Sequence, residues 1–146
     1  MTSLTLVRRI RARPSIVFDA MTTPEGLSQW FGPDAGPVLI SESDVRVGGH
    51  YRVRFRMLDN TEHEASGVYL ELKRPERIAM SWRWKGGMED PGESRVIAVL
   101  RPIPEGTELT FTHELLANEE TRQSHEEGWT GSLGKLERMF SERTAA

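Results

Sequence analysis

With 146 residues, the chain has the size of one domain and enough length to bury a core without staples. It contains no cysteine, which excludes disulfides, thiolate metal sites and cysteine nucleophiles. Its 28% charged residues sum to a net charge of −3, so a nucleic-acid backbone meets no concentrated basic patch; no run approaches the ~18 apolar residues of a membrane span.

The N-terminus lacks the apolar core of a signal peptide, and a cytoplasmic location is expected. Leu4 to Arg11 alternates imperfectly and reads as a first strand. Pro14 ends it and opens a short helix, Ser15 to Met21. A second helix starts at Thr23-Pro24-Glu25, with Thr23 as N-cap and Pro24 at the first helical position, and ends near Trp30 before Gly32-Pro33. Val38 to Val45 is a weak strand, and Val47-Gly48-Gly49 a turn or bulge. His50 to Met57 alternates most sharply: Tyr51, Val53, Phe55 and Met57 share one face, and Arg52, Arg54 and Arg56 share the other, wet one. Asp59-Asn60-Thr61 turns the chain into a strand over Glu64 to Leu72. Ile78, Met80, Trp82 and Trp84 line one face of the next. Arg95 to Arg101 and Glu108 to Leu115 form a last hairpin across Pro104-Glu105-Gly106.

Asn118 then caps a long helix, Glu119 to Phe140. His125, Trp129, Leu133, Leu136 and Phe140 recur at helical spacing and form an apolar stripe that must be buried. Hairpins followed by one long helix imply an α+β domain over residues 1–146, an antiparallel sheet with segregated helices.

Five local patterns occur in order: Arg8 to Phe18; Thr23-Pro24-Glu25 with Gln29-Trp30-Phe31-Gly32-Pro33; Val47 to Arg52; Gly67 to Trp84; and His125-x-x-Gly128-Trp129. Together they resemble the family related to the activator of the heat-shock protein ninety ATPase, within the START-like, Bet v-like helix-grip superfamily. The resemblance covers Val7 to Phe140. It implies a curved antiparallel sheet gripping the C-terminal helix, with a hydrophobic cavity between them. The namesake activator has two domains, so no ATPase activation is expected from this one-domain chain alone.

Tyr51, Phe55, Trp82, Trp84, Phe111 and Trp129 project from faces that should meet beneath the helix. They read either as core or as the wall of a ligand pocket, and the two overlap because a cavity is a core with a gap in it. His113 shares the inward phase of Leu109 and Phe111, and His125 lies on the helix stripe. Two histidines without a third ligand make no metal site, so each is expected to hold one structural hydrogen bond, with an acid–base role for His113 as the alternative. His50 and His63 read as exposed. Arg8 either turns inward to Glu71 or Glu114 or reaches water from an edge strand. Gly128 would let the helix approach the sheet, Gly131 and Gly134 have no account, and the Gly86 to Gly92 loop is a hairpin tip or a gate.

The expected function is binding of a small hydrophobic or aromatic molecule between sheet and helix, with Tyr51, Phe55, Trp82, Trp84, Phe111, His113 and Trp129 as the ligand-binding set. No catalytic residue is assigned, and no cofactor or metal is expected. Neither a nucleic acid nor a membrane span is expected among the partners, and a homodimer stays open. The alternatives are a cyclase- or hydrolase-type enzyme using a cavity histidine or carboxylate, and a chaperone-cofactor-like module using the arginine face.

Overall fold

The computed structural model describes residues 1–86 and 92–145, with side chains through residue 141. In chain order these form β1 (Thr2–Ile10), α1 (Pro14–Thr22), α2 (Pro24–Trp30), β2 (Val38–Ser43), β3 (His50–Arg56), β4 (Glu62–Lys73), β5 (Arg77–Lys85), β6 (Ser94–Ile103), β7 (Gly106–Leu116) and α3 (Glu119–Ala145). Local chemistry sets the ends. The Thr23 hydroxyl accepts the Gly26 N–H at 3.1 Å, with Pro24 and Glu25 in the first turn of α2. Asn118 Oδ1 accepts the Thr121 N–H at 2.8 Å at the start of α3. Asn60 takes φ 72° in the β3–β4 turn, where Asp59 Oδ1 accepts the Thr61 N–H at 3.0 Å.

The seven strands form one antiparallel sheet in the order β1-β7-β6-β5-β4-β3-β2. Every pair from β2 to β7 is joined by a direct return; only β1 sits beside the last strand, which sends α1 and α2 across the sheet between its two edges. The inner face buries Tyr51, Val53, Phe55, Ala65, Tyr69, Ile78, Met80, Trp82, Val96, Ala98, Leu100, Leu109, Phe111 and His113. Against it α3 lays His125, Trp129, Leu133, Leu136 and Phe140, all buried, the stripe that the helical period requires. This is the α+β helix-grip arrangement. The last helix continues past Phe140 to Ala145. Residues 87–91 of the Gly86 to Gly92 loop lie outside the described residues, as does any role for that loop as a gate.

Two details differ from expectation. Arg8 pairs through Nε with Glu137 of α3 at 3.1 Å, while Glu71 and Glu114 are taken by Arg77 and Arg95. The reason is topological: β1 is an edge strand running alongside α3, so its long side chains reach the helix before any neighbouring strand. The close approach of α3 lies at Gly131, where an added Cβ would overlap the Pro33 carbonyl oxygen. At Gly128 the nearest atom would be Pro33 Cβ, at an ordinary 3.9 Å. Gly134 faces only the tip of Arg138, 3.3 Å from where a Cβ would sit.

These contacts give opposite signs to two similar substitutions. Gly134→Ala should stabilise by up to about 1 kcal/mol through helix propensity, because a flexible arginine tip moves cheaply. Gly131→Ala should destabilise by about 1–3 kcal/mol, because a backbone carbonyl cannot give way as cheaply. Trp129→Ala should cost about 3–5 kcal/mol by emptying the centre of the interface. Urea unfolding of the three variants measures all of this; equal effects of the two glycine changes would refute the close approach.

Candidate functional site

The centre of the sheet–helix interface is aromatic and polar at once. Trp82 on β5 donates its indole N–H to Nε2 of His125 on α3 at 3.2 Å. Trp129 on α3 donates its own to Nδ1 of His113 on β7 at 3.0 Å. An indole nitrogen only donates, so each histidine nitrogen that receives it must be unprotonated. The remaining nitrogens then carry the protons: His125 Nδ1 donates to the Thr121 carbonyl at 2.9 Å, and His113 Nε2 donates to Ser94 Oγ at 2.7 Å. Both rings are thus neutral with fixed tautomers, stacked edge-on at 4.9 Å. Burial, and then the proximity of His125, hold His113 down to about 2. Burial also lowers His125, against the opposing Thr121 bond. Neither ring has a nitrogen free to take or give a proton, or to bind a metal. Among the described residues no three histidine or acidic groups gather as a ligand set.

Beside this brace lies an apolar cleft lined by Phe31, Pro33, Phe55, Trp82, Trp84 and Trp129, with His125, Gly32, Ser124, Gly128 and Ser132 completing it. It offers about 380 Å³ of space, its open mouth included. Its rings interlock: Phe31 stacks on Trp82 at 6.0 Å and meets Trp129 edge-on at 5.8 Å, while Trp82 stacks on Trp84 at 6.1 Å. Trp84 is partly buried against the core, with its N–H on the Gly86 carbonyl at 2.9 Å. The loop after α2 roofs the cleft, and Lys135 of α3 pins that loop by donating to the carbonyls of Phe31 at 3.3 Å and Asp34 at 2.6 Å. A larger depression of about 910 Å³, open solvent included, lies beside Glu42, His50, Arg52, Ser66 and Glu93 and mixes polar groups with apolar surface from Tyr51 and Val68. Arg52 there is already paired with Glu42 at 3.1 Å.

Of the residues expected to bind ligand, Phe55, Trp82, Trp84 and Trp129 come together around the cleft. Tyr51, Phe111 and His113 do not line it. Tyr51 is buried with its hydroxyl on the Ser81 carbonyl at 2.6 Å, Phe111 packs on Trp129 at 4.3 Å, and His113 is closed off behind Trp129. Strand phase put six of them on the inner face and helical spacing put Trp129 opposite, but neither period tells a cleft wall from a filled core. His63 is not exposed as expected. It pairs across from Phe55, stacks on that ring at 6.0 Å and lies 5.3 Å from Trp84; its phase with Ala65 and Tyr69 carried that signal. Phe31, Pro33 and Ser132 were not anticipated, because a loop's path is invisible to periodicity, although the run Trp30-Phe31-Gly32-Pro33 was already a marked feature of the sequence.

The neutral histidines make stability depend on pH. Unfolded histidine titrates near 6.5, whereas folded His113 stays neutral down to about 2. As pH falls the unfolded chain binds protons first, so this stabilisation is complete above about pH 6.5 and lost progressively below it. Between about pH 7.5 and about pH 5, His113 alone should account for about 2 kcal/mol of lost stability, with His125 adding in the same direction. Urea unfolding at both pH values should show a shallower loss for His113→Asn than for the unaltered chain; identical losses would refute a neutral His113.

The comparisons with known proteins agree with this fold. The profile of the Activator of Hsp90 ATPase homolog 1-like protein family matches residues 11–141. No curated protein sequence matches the chain. The fold is similar to the crystal structure of an AHSA1 protein from Silicibacter pomeroyi, 27% identical, with 97% of this chain and 99% of that one covered and a TM-score of 0.86. A crystal structure of a Chromobacterium violaceum protein is also 27% identical, over 96% of this chain and 98% of that one, with a TM-score of 0.81. A solution structure of an Arthrobacter aurescens protein, 21% identical over 96% of this chain and 86% of that one, repeats the fold with a TM-score of 0.82. Among the described residues no helix is long and apolar enough to cross a membrane. With its helix-grip architecture and a profile match running nearly end to end, the chain belongs to the Activator of Hsp90 ATPase homolog 1-like protein family of the START-like superfamily.

Proposed function

We propose that the chain binds a small apolar or aromatic molecule in the cleft between the sheet and α3. The observation that carries this is the wall itself: five aromatic rings face an open-mouthed gap, beside a neutral histidine whose nitrogens are both bonded. The cleft takes one flat ring or a short branched chain, with the rest of the ligand in the open mouth. Burying roughly 200 Å² of apolar ligand surface is worth about 5 kcal/mol at about 25 cal/mol per Å², which places Kd between about 10 μM and 1 mM once stacking and association costs are included.

The committed nitrogens of His113 and His125 favour binding over acid–base catalysis in this cleft. The arginine face favours no partner protein either. Arg52, Arg54 and Arg56 are matched by Glu42, Glu62 and Glu64, leaving little unpaired charge.

The four tryptophans provide the readout. Titration of 15N-labelled protein with indole should shift the indole N–H signals of Trp84 and Trp82 saturably and leave Trp30, buried with its N–H on the Ala20 carbonyl, unmoved. Trp84→Ala should weaken binding by about tenfold, and Arg101→Ala on the outer face should not change it. Uniform or non-saturating shifts would overturn the proposal.

A further inference from the structure

The cleft's lining carries no charged side chain, yet one cation stands directly behind its roof. A methyl group placed on Gly32 would sit 3.3 Å from the Phe55 ring and 3.7 Å from Nζ of Lys135, so the ammonium and a cleft wall face each other across a residue without a side chain. Lys135 spends two of its three N–H groups on the Phe31 and Asp34 carbonyls, and among the described residues no carboxylate pairs with it. The nearby Asp34 carboxylate is taken by the backbone N–H groups of Gly36 at 2.8 Å and Leu58 at 3.0 Å. This half-buried ammonium is hydrogen-bonded only to carbonyls, and the Asp34 carboxylate acts on it at longer range without pairing.

A second group points the same way. Ser132 lines the cleft, is only 4% exposed, and its hydroxyl bonds to no other described residue. Residues 128, 132 and 135 follow one another at helical spacing, so Ser132 and Lys135 lie on the same side of α3, the side that meets the roof. Burial lowers the pKa of Lys135, with Asp34 raising it and Arg138 lowering it again. An anion would compensate that desolvation.

We infer that the cleft selects ligands carrying a carboxylate beside their apolar body, with Lys135 as counter-charge and Ser132 as a hydrogen-bond donor. This rests on the binding reading above and adds the ligand's charge to it.

Three probes with one ring and three charges test it: indole, indole-3-acetate and tryptamine, each titrated and followed by the tryptophan indole signals. The expected order is indole-3-acetate tightest by about tenfold, then indole, then tryptamine. Lys135→Met should bring indole-3-acetate to the level of indole, and Ser132→Ala should remove part of the preference. In both variants the deciding quantity is the ratio of indole-3-acetate to indole affinity, because Ser132 also lines the cleft and Lys135 also holds its roof. Equal affinities for the three probes in the unaltered chain would overturn the charge preference and leave the cleft as a neutral site. A Lys135→Met variant that weakens indole and indole-3-acetate alike would overturn it too, reducing Lys135 to a prop for the roof. Absence of saturable binding by any probe would overturn the binding reading and this inference together.

Discussion

Sheet and helix are tied by a reciprocal pair of hydrogen bonds: a sheet tryptophan donates to a helix histidine, and a helix tryptophan donates to a sheet histidine. Each indole N–H is buried and would be costly if left unmade. Each imidazole can accept only while neutral, and burial in an aromatic interior keeps it so. The two bonds therefore require and stabilise one protonation state. They also set the rotation of α3, since turning the helix by one residue, ~100°, would carry both His125 and Trp129 out of reach.

The cleft follows from that placement. With Trp82 and Trp129 held by their nitrogens, their rings cannot close over the gap beside the Phe31–Pro33 loop. That loop packs its Phe31 ring on the sheet and is tied to α3 through the close contact at Gly131 and the ammonium of Lys135. A brace that fixes rings and a roof that rests on the helix leave space at their junction. The same rigidity argues against proton-transfer chemistry, because a group that moves protons needs a nitrogen not already committed.

The outer surface plays a lesser part. Arg95 with Glu114, Arg101 with Glu108 and Arg54 with Glu62 and Glu64 form cross-strand pairs on the solvent side. Exposed pairs of this kind are worth about 0–1 kcal/mol each. They favour strand register and solubility, while the apolar inner face supplies the stability.

Periodicity made most of the architecture legible. Alternation in His50 to Met57 placed Tyr51, Val53 and Phe55 inward, and the spacing from His125 to Phe140 identified a stripe that is buried along its whole length. Caps at Thr23 and Asn118 were readable because their chemistry is local. Phase could tell inside from outside, yet it could not tell wall from filling, which is why Tyr51, Phe111 and His113 shared a face with Trp84 without sharing its cleft. The partner of Arg8, the contact at Gly131 and the placement of Phe31 and Lys135 depend on which elements lie side by side across about a hundred residues of chain or more. A sequence of this kind determines the faces of its elements, because those repeat at short range. Only tertiary packing decided where the faces fail to meet, because a gap is a property of several elements at once and of none of them alone.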